Sequence, residues 1–362
     1  MKCPGCGAEL QFDDPRKPGY IPLEVYERKL SNGEEILCQR CYRLKHYGKM
    51  MPVELHKDFK KNLKSYLGGF DVVLWILDIF DFEGSYDEEI KELLKIKKVV
   101  YGINKIDLIP KAVTLKEIKE WLKKRLNVSS EDIKLMSATK KLGLRSTMKY
   151  LKRLTDKTLV IGVTNVGKSS ILNELCGFGT TVSPFPGTTL GIIRRKVKDI
   201  NFYLYDTPGI VTGKRIIELL DPECQKRITP LKRVTRKTFK PENGRVIFIG
   251  GLCRLDIYFE GERRPIFQIF SSENVVFHET NKKKADTLMR ERMGDLLVPP
   301  CKKESYDEYE WEERWFNLNI GEELAIAGLG WLSVRRGPFK VKVTLPKGIK
   351  VVLREALINP YR

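Results

Sequence analysis

The sequence predicts an α/β protein with three parts along the chain, and three observations support this division. Residues 61–211 alternate short apolar runs with amphipathic helical stretches, which is typical of a doubly wound parallel sheet. Residues 212–362 are richer in strand-like runs such as RVIFIGG, IFQIF and FKVKVTL, and predict a β-rich domain. Residues 1–60 hold two CxxC pairs in a polar segment and predict a small separate module.

The balance of charge indicates a polyanionic partner. The 362 residues carry a formal net charge of +19, with a pI of about 9.4. Such a balance favours nucleic acid first and an anionic membrane surface second. The alternative is a solvated, lysine-rich surface of the kind seen in thermophile proteins.

Cysteine use and the absence of a long apolar run predict a cytoplasmic, reduced protein without a membrane partner. The most apolar run, VVLWIL, is too short to cross a bilayer and ends at Asp78. The eight cysteines therefore indicate metal ligands or free thiols rather than disulfides. Four of them are scattered singly and are expected to be core thiols: Cys176, Cys224, Cys253 and Cys301.

The segment GVTNVGKS has the pattern of a phosphate-binding loop between a strand and a helix. Gly162 and Gly167 allow backbone N–H groups to curl around phosphate oxygens, as Val166 and Ser170 are also expected to do. Lys168 is expected to reach the β- and γ-phosphates, and Ser169 to place its hydroxyl on Mg²⁺.

Two further motifs complete the phosphate side of this site. DTPG follows the apolar strand INFYLY, so Asp206 is expected to hold Mg²⁺ through water and Gly209 to offer its N–H to the γ-phosphate. PGTT lies between the two motifs. Thr189, preferred over Thr188, can complete the magnesium shell only when the γ-phosphate is present, which would make this loop a switch.

Guanine rather than adenine is predicted by NKID. Asp107 can accept both N–H groups on the guanine edge, and adenine would leave that carboxylate unpaired, a discrimination that can reach roughly 10⁴-fold. Asn104 is expected to bond the ring and tie loops together, while the Lys105 stem covers the base. In the SAT motif that begins at Ser137, the Ala138 N–H is expected to meet the guanine carbonyl.

The catalytic set predicted from these motifs is Lys168, Thr189, Asn165 and Gly209. A Ras-like enzyme has a glutamine after this glycine to orient water, but here the residue is Ile210. Asn165 resembles the asparagine of potassium-dependent GTPases, in which its amide oxygen helps to hold K⁺ beside the phosphates. The alternative is that Asn165 only braces the loop.

The N-terminal cysteines predict a structural zinc module. Cys3, Cys6, Cys38 and Cys41 form a CxxC…CxxC set, and four thiolates suit a closed tetrahedral Zn²⁺ site. Zinc would supply on the order of 10 kcal/mol to a segment with little core. Reactive thiols are the alternative.

The order of the motifs is unusual, because NKID and SAT precede the phosphate loop. The chain is therefore predicted to contain a circularly permuted P-loop GTPase domain that ends at DTPG. The same sheet can form, since chains are often cut and rejoined at surface loops without loss of the fold. One consequence is that the region after DTPG, a β-rich RNA- or protein-binding domain, follows the γ-phosphate sensor directly.

The motif order, the cysteine knuckles and the stretches FIGGLCRLDIY, DLLVPP and LAIAGLGWLSV resemble the YqeH-type circularly permuted GTPases over essentially the whole chain. The resemblance implies a switch protein that binds GTP or GDP, hydrolyses GTP with K⁺ stimulation and assists small ribosomal subunit assembly on ribosomal RNA. It also implies a C-terminal domain akin to a tryptophan-attenuation RNA-binding fold. The alternative function is an RNA-binding scaffold that senses GTP or GDP with little hydrolysis. Asp78 and Asp81 receive no role.

Overall fold

The protein is described from a computed structural model. The structure describes residues 1, 3–4, 8–14, 19–39, 42, 53–54, 63–177, 183–184 and 192–359. Within these residues, no helix combines the length and the apolarity that crossing a membrane would require.

The described α-helices, in chain order, are α1 (Leu23–Ser31), α2 (Phe82–Ser85), α3 (Glu88–Leu94), α4 (Leu115–Leu126), α5 (Leu144–Leu154), α6 (Lys168–Cys176), α7 (Ile216–Leu219), α8 (Pro222–Ile228) and α9 (Lys282–Glu291). Short 3-10 turns occupy Ile106–Leu108, Ser130–Asp132 and Tyr306–Glu308.

The first nine strands are β1 (Val53–Glu54), β2 (Val72–Asp78), β3 (Lys98–Asn104), β4 (Ile133–Leu135), β5 (Lys157–Ile161), β6 (Ser183–Pro184), β7 (Ile193–Lys196), β8 (Tyr203–Asp206) and β9 (Ile210–Val211). The others are β10 (Val234–Phe239), β11 (Arg245–Ile249), β12 (Arg254–Tyr258), β13 (Ile266–Ser272), β14 (Phe277–Asn281), β15 (Trp311–Leu318), β16 (Glu322–Ile326), β17 (Gly330–Arg336), β18 (Phe339–Pro346) and β19 (Val351–Glu355).

The chain forms two compact units that do not follow its linear order. The first contains Met1–Asp78, Glu88–Lys105 and Val128–Val211. The second contains Thr212–Arg362 together with the segments Ile79–Asp87 and Ile106–Asn127. Two short segments that directly follow strands of the first unit are therefore folded into the second.

A seven-stranded sheet forms the centre of the first unit, in the order β4-β3-β2-β5-β8-β7-β6. The five strands from β4 to β8 are parallel, and β7 and β6 add an antiparallel edge. Every residue of β2 is buried, as expected for a central strand covered on both faces. The parallel sheet predicted from the alternating pattern is thus confirmed.

Register brings the carboxyl ends of neighbouring strands together in this sheet. Asp78 lies beside Asn104 where β2 and β3 end, and Val160 lies beside Asp206 where β5 and β8 end. Ligands of open parallel sheets bind outside the carboxyl ends of the strands. The loops that follow these strands are therefore placed to form a common site.

The second unit contains two antiparallel five-stranded sheets, β10-β13-β17-β16-β19 and β14-β11-β12-β18-β15. Their inward-facing side chains share one apolar core, to which Ile269 and Leu332 contribute from one sheet and Leu255 and Val343 from the other. The β-rich character predicted for this region is confirmed.

Helix α4 belongs to the second unit and has a strong start signal. Thr114 accepts a hydrogen bond from the Glu117 N–H at 3.2 Å, and the Glu117 carboxylate accepts one from the Thr114 N–H at 2.8 Å. This capping box satisfies two otherwise unpaired donors. The helix buries an apolar stripe at helical spacing that consists of Ile118, Trp121, Leu122 and Leu126.

The sequence of the β-rich region predicts one helix, from about Lys282 to Leu297, which Pro299 and Pro300 would stop, but the observed helix α9 is shorter. It ends at Glu291, because the chain turns at Gly294, which has φ = +82°. A Cβ on Gly294 would lie 1.8 Å from the Lys302 carbonyl oxygen, so this close approach requires glycine. The turn acts before the two prolines that were expected to stop the helix.

The prediction that all scattered cysteines are free thiols is wrong for one pair. Cys224 in α8 and Cys301 form a disulfide with an S–S distance of 2.01 Å. They are 77 residues apart, and nothing in their sequence surroundings marks them as partners. Cys176 and Cys253 are buried thiols outside this disulfide, and burial raises the pKa of the Cys176 thiol to about 12.

Candidate functional site

The phosphate-loop motif lies between β5 and α6, in the first unit. Gly167 has φ = +88°, and a Cβ there would lie 2.3 Å from Asn104 Nδ2, so glycine is required for both reasons. Asn165 also has positive φ, at 65°. The loop is fixed to the strand after DTPG, since the Thr164 N–H donates to Ile210 O at 2.8 Å and the Ile210 N–H to Gly162 O at 3.1 Å.

Lys168 and Asp206 form a buried ion pair at the centre of this region. The Lys168 ammonium donates to Asp206 Oδ1 and to the Thr207 carbonyl. The Lys168 side chain is 6% exposed and that of Asp206 is 0% exposed. A buried carboxylate and ammonium are stable in such a place only as partners, so each fixes the position of the other.

The groups around Asp206 fit a magnesium ion. Asp206 Oδ2 is buried and has no hydrogen-bond partner among the described residues, and Arg195 Nη2 lies 3.5 Å from it. Ser169 directly follows Lys168 in the first turn of α6. A carboxylate oxygen and a hydroxyl are the hard oxygen ligands that Mg²⁺ prefers. Thr188 and Thr189 lie outside the described residues.

Asn104 connects the guanine-reading motif to the other two loops. Its Nδ2 donates to the Val166 carbonyl of the phosphate loop at 2.8 Å, and its Oδ1 accepts from the Ala138 N–H of the SAT loop at 3.1 Å. The side chain is buried, so these bonds are shielded from water. The Ala138 N–H that was assigned to guanine is bonded to Asn104 in this structure.

Ser137 shapes the SAT loop rather than facing solvent. It is buried, exchanges backbone hydrogen bonds with Leu142 at 3.0 and 3.1 Å, and accepts the Lys140 N–H on its hydroxyl at 2.9 Å. These bonds close a tight turn that holds Ala138. Asp107 follows Lys105 in the 3-10 turn Ile106–Leu108 and is half-buried.

The structure gives Asp78 a partner that the sequence did not indicate. Lys105 has φ = +64°, and its ammonium lies 2.5 Å from Asp78 Oδ2. The pair joins the end of β2 to the NKID loop at the end of β3. Asp78 therefore positions the lysine whose stem was expected to cover the base. The one hint of this role in the sequence was the position of Asp78 at the end of a central strand, where ligands of parallel sheets bind.

Gly209 and Ile210 lie against the phosphate loop. A Cβ on Gly209 would be 3.2 Å from Thr164 Cγ2, so the two segments approach closely. The Ile210 side chain is buried, and its strand β9 pairs with β1. The side chain that follows DTPG is thus fixed in an apolar position, where it cannot orient water.

Two of the four expected zinc ligands lie together in the structure. The Cys38 N–H donates to Cys3 Sγ at 3.2 Å, and both cysteines are buried in a small cluster with Leu37. Cys6 and Cys41 lie outside the described residues. Within the described part of the chain, no group of three or more His, Cys, Asp or Glu side chains is placed to hold a metal ion.

Together, the parallel sheet, the buried Lys168–Asp206 pair and the Asn104 bridge define a P-loop GTPase domain joined to a β-rich C-terminal region. Two family models match, "50S ribosome-binding GTPase" over residues 157–237 and "YqeH-like, C-terminal" over residues 264–357. The chain is 33% identical to the uncharacterized protein YqeH of Bacillus subtilis (strain 168) over 98% of its own length and 99% of that protein. It belongs to the YqeH family.

More distant relatives match nearly the full length of this chain. NO-associated protein 1 of Arabidopsis thaliana, a chloroplastic or mitochondrial protein, is 26% identical over 98% of this chain and 76% of its own length. Nitric oxide-associated protein 1 of Homo sapiens is 21% identical over 100% of this chain and 75% of its own length. A solved GDP-bound structure of TM YlqF matches 41% of this chain and 57% of its own chain at 21% identity, with a TM-score of 0.28.

Proposed function

We propose that this chain is a Mg²⁺-dependent, cytoplasmic GTPase that binds ribosomal RNA or pre-ribosomal particles and assists assembly of the small ribosomal subunit. The observation that carries the proposal is the Asn104 bridge. One buried side chain ties the SAT loop, at Ala138, to the phosphate loop, at Val166. Occupancy of a base site and geometry of a phosphate site are thereby coupled.

The residues of the chain have distinct roles in this proposal. Asp107 accepts the two N–H groups of guanine, and the backbone of residues 162–170 surrounds the phosphates. Lys168 exchanges its bonds to Asp206 and Thr207 for phosphate oxygens. Asp206, freed from that pair, would hold Mg²⁺ with Ser169 and Thr189, and an ion held there would neutralise charge on the β- and γ-phosphates. Gly209 offers its N–H to the γ-phosphate.

We propose that K⁺ supplies the charge that no glutamine supplies here, with Asn165 as its ligand. Steady-state GTP hydrolysis should be faster in KCl than in NaCl at equal ionic strength, by about 10-fold or more, as expected for a charge placed beside the transferring phosphoryl group. Asn165→Ala should hydrolyse GTP at the same slow rate in both salts. An unchanged potassium response in this variant would assign Asn165 to bracing the loop.

A structural Zn²⁺ bound by Cys3, Cys6, Cys38 and Cys41 is part of the proposal. The Cys38 N–H···Cys3 Sγ bond supports it, because such bonds stabilise the thiolate that a metal requires. Metal analysis of the purified chain should find zinc in a stoichiometric amount. Loss of zinc without any loss of structure in residues 1–60 would instead favour reactive thiols.

The functional division that we propose places boundaries near residues 60 and 211. Thr212 follows β9 directly, so movement of Gly209 on γ-phosphate binding is transmitted along the chain into residues 212–362. This region begins with a run of exposed cations suited to RNA phosphates, namely Lys226, Arg227, Lys232, Arg233, Arg236 and Lys237.

Co-sedimentation with separated ribosomal subunits tests the proposed partner. We expect binding to the small subunit to be stronger with a non-hydrolysable GTP analogue than with GDP, and to fall steeply with salt. The large subunit is the essential second arm, because the description of the matched GTPase family names the 50S particle. Binding that ignores both subunit type and nucleotide would contradict the proposal.

Parallel GTPase assays with each subunit distinguish a switch from a scaffold. The buried Ile210 favours the alternative of an RNA-binding scaffold with little hydrolysis. A switch should be stimulated by its subunit, whereas a scaffold should bind it with no change in turnover.

A further inference from the structure

An aromatic pair is exposed on the outer face of the sheet β14-β11-β12-β18-β15 in the second unit. Trp315 of β15 is 58% exposed, whereas Trp75, Trp121 and Trp331 are buried. The Trp315 ring lies 5.4 Å from that of Tyr258 in β12, with an angle of 38° between the planes. A tryptophan exposed on a sheet face leaves a large apolar ring in water, and burial of that ring against a partner is favourable. We therefore looked for a partner that would cover this pair.

Polar side chains surround the pair in a pattern set by strand register. Lys340 of β18 lies opposite Tyr258 on one side and Asn317 of β15 on the other. In the next row, Lys342 lies opposite Trp315. Opposed residues of antiparallel strands point to the same face, so all five side chains belong to one surface. Lys340 and Asn317 are exposed.

The opposite face of these strands is the protein core. Leu255 and Ile257 of β12, and Val341 and Val343 of β18, are fully buried between the two sheets. The outer face is covered at its other end, where Val246 and Phe248 of β11 pack against α9. The aromatic platform, defined as Tyr258, Trp315, Asn317, Lys340 and Lys342, lies in the part of this face that remains in contact with solvent, beside the exposed Glu313.

We propose that the aromatic platform binds single-stranded RNA, an inference that rests on the proposed function. Bases stack on exposed aromatic rings on a sheet, lysines meet the phosphates between them, and an amide can bond a base edge. Trp315 and Tyr258 supply two adjacent rings, Lys340 the cation and Asn317 the amide.

The composition of the platform favours RNA over a protein partner. The core of a protein interface is a contiguous apolar patch that lacks charged residues. Here Trp315 is the single large apolar side chain exposed among polar neighbours. Glu313 pairs with Lys342 at 2.7 Å and leaves Lys340 as the cation that faces solvent most openly. A ring pair beside an exposed lysine can contact a base and its phosphate together, whereas a protein interface would need a larger apolar patch.

Fluorescence anisotropy with a labelled, unstructured 12-nucleotide RNA tests the platform in the full-length chain. Trp315→Ala should weaken binding on the order of 10-fold, while Trp315→Phe, which keeps a ring, should stay close to the wild-type affinity. Leu353→Ala, which removes an exposed apolar side chain from β19 in the other sheet, is the matched control. Equal affinity for wild type and Trp315→Ala would overturn the proposal.

A second measurement reports stacking directly. Because Trp315 is the most exposed of the five tryptophans, quenching by acrylamide reports mainly on its indole. Saturating RNA should protect the wild type from acrylamide and leave Trp315→Phe unprotected. Absence of protection at saturating RNA would also overturn the proposal.

Subunit co-sedimentation of the same variants separates this proposal from the proposed function. Trp315→Ala with reduced subunit binding but unchanged RNA affinity would assign the platform to a ribosomal protein and overturn it as an RNA site. A third outcome is that the wild type binds subunits in a nucleotide-dependent way and Trp315→Ala behaves like the wild type in every assay. That outcome would support the proposed GTPase switch and contradict only the RNA-binding role of the platform.

Discussion

Replacement of Lys168 with methionine is expected to abolish GTP hydrolysis and to destabilise the nucleotide-free protein. Loss of a positioned charge at the transferring phosphoryl group costs roughly 10²- to 10³-fold in turnover. The second effect follows from the Lys168–Asp206 pair. Methionine keeps the length of the side chain but leaves the fully buried Asp206 carboxylate without its ammonium partner, and Arg195, 3.5 Å from the other carboxylate oxygen, does not donate a hydrogen bond that replaces it. Breaking a buried pair on one side should lower the free energy of unfolding by about 3 kcal/mol.

The double variant Lys168→Met/Asp206→Asn separates the two effects. Removal of both charges should recover most of the unfolding free energy, because neither group is then left as an unpaired buried ion. Hydrolysis should stay absent, since both the phosphate cation and the magnesium ligand are lost. Urea denaturation and single-turnover GTP hydrolysis measure the two quantities.

An exposed ion pair in the same unit provides the control. Lys141 lies 2.9 Å from Glu174, with both side chains well exposed. Lys141→Met should change the unfolding free energy by less than about 1 kcal/mol. If Lys168→Met is no less stable than this control, or if the double variant is no more stable than Lys168→Met, the buried pair does not have the energetic role assigned to it.

The phosphate and guanine motifs could be read from sequence because their chemistry is local. The glycines lie in one loop, Lys168 and Ser169 lie in the first turn of the helix that follows it, and the strand before the loop completes the unit. The sequence predicted that Asn104 would tie loops together, but it did not identify the atoms that Asn104 bonds. Its partners, Val166 and Ala138, could be chosen only once register had placed the ends of β3 and β5 in the same sheet.

The side chains without a role in the sequence have partners far away along the chain. Asp78 contacts Lys105, 27 residues later. Asp81 accepts the Gly328 N–H at 2.8 Å, a separation of 247 residues. No periodic pattern carries such information, because a single hydrogen bond between distant segments imposes nothing on the residues beside it.

Some elements of the second unit were missed for a different reason. Strand β15, WEERWFNL, carries charges on both faces, with Glu313 beside the exposed tryptophan and Glu312 and Arg314 on the less exposed face, so the alternation that marks a half-buried strand is weak. The folding of residues 79–87 and 106–127 into the second unit leaves no compositional signal either. Those segments continue strands of the first unit without any linker-like sequence.

Replacement of Arg125 with methionine is expected to be strongly destabilising, because it removes the partner of a carboxylate that is also buried. Arg125 in α4 donates from Nε and Nη2 to the two oxygens of Glu83 at 3.0 and 2.7 Å. Glu83 is 1% exposed, and a second cation, Arg354, which also bonds Glu323, lies 3.6 Å from it. The expected loss of unfolding free energy near pH 7 is about 3 kcal/mol.

The pH dependence of this loss identifies its electrostatic origin. Burial alone would raise the pKa of Glu83, but the hydrogen bonds from Arg125 and the charges of Arg354 and Lys350 outweigh it and hold the pKa below its ordinary 4.5. A lowered pKa in the folded state contributes stability that is present above pH 4.5 and is lost as pH falls through the folded value. Without Arg125, burial weighs more heavily and the pKa of Glu83 rises, so the folded variant takes up a proton there at a higher pH than the wild type does. The difference in stability between wild type and Arg125→Met should therefore narrow as pH is lowered from 7 to 4.

If Arg125 contributed by packing alone, its replacement would lower the free energy of unfolding by the same amount at every pH. Its guanidinium lies over the Tyr86 ring at 5.5 Å, so the side chain also makes a cation–π contact, and methionine partly preserves the packing of its stem. A loss of unfolding free energy that is constant from pH 7 to pH 4 would assign the effect to that contact. Lys124→Met is the matched control on the same helix, because Lys124 pairs with Glu355 at 3.2 Å and both side chains are exposed. This replacement should lower the free energy of unfolding by less than about 1 kcal/mol. Only the arginine, one residue further along α4, meets a carboxylate that water cannot solvate, and a pH-dependent cost is therefore expected from that substitution and not from its neighbour.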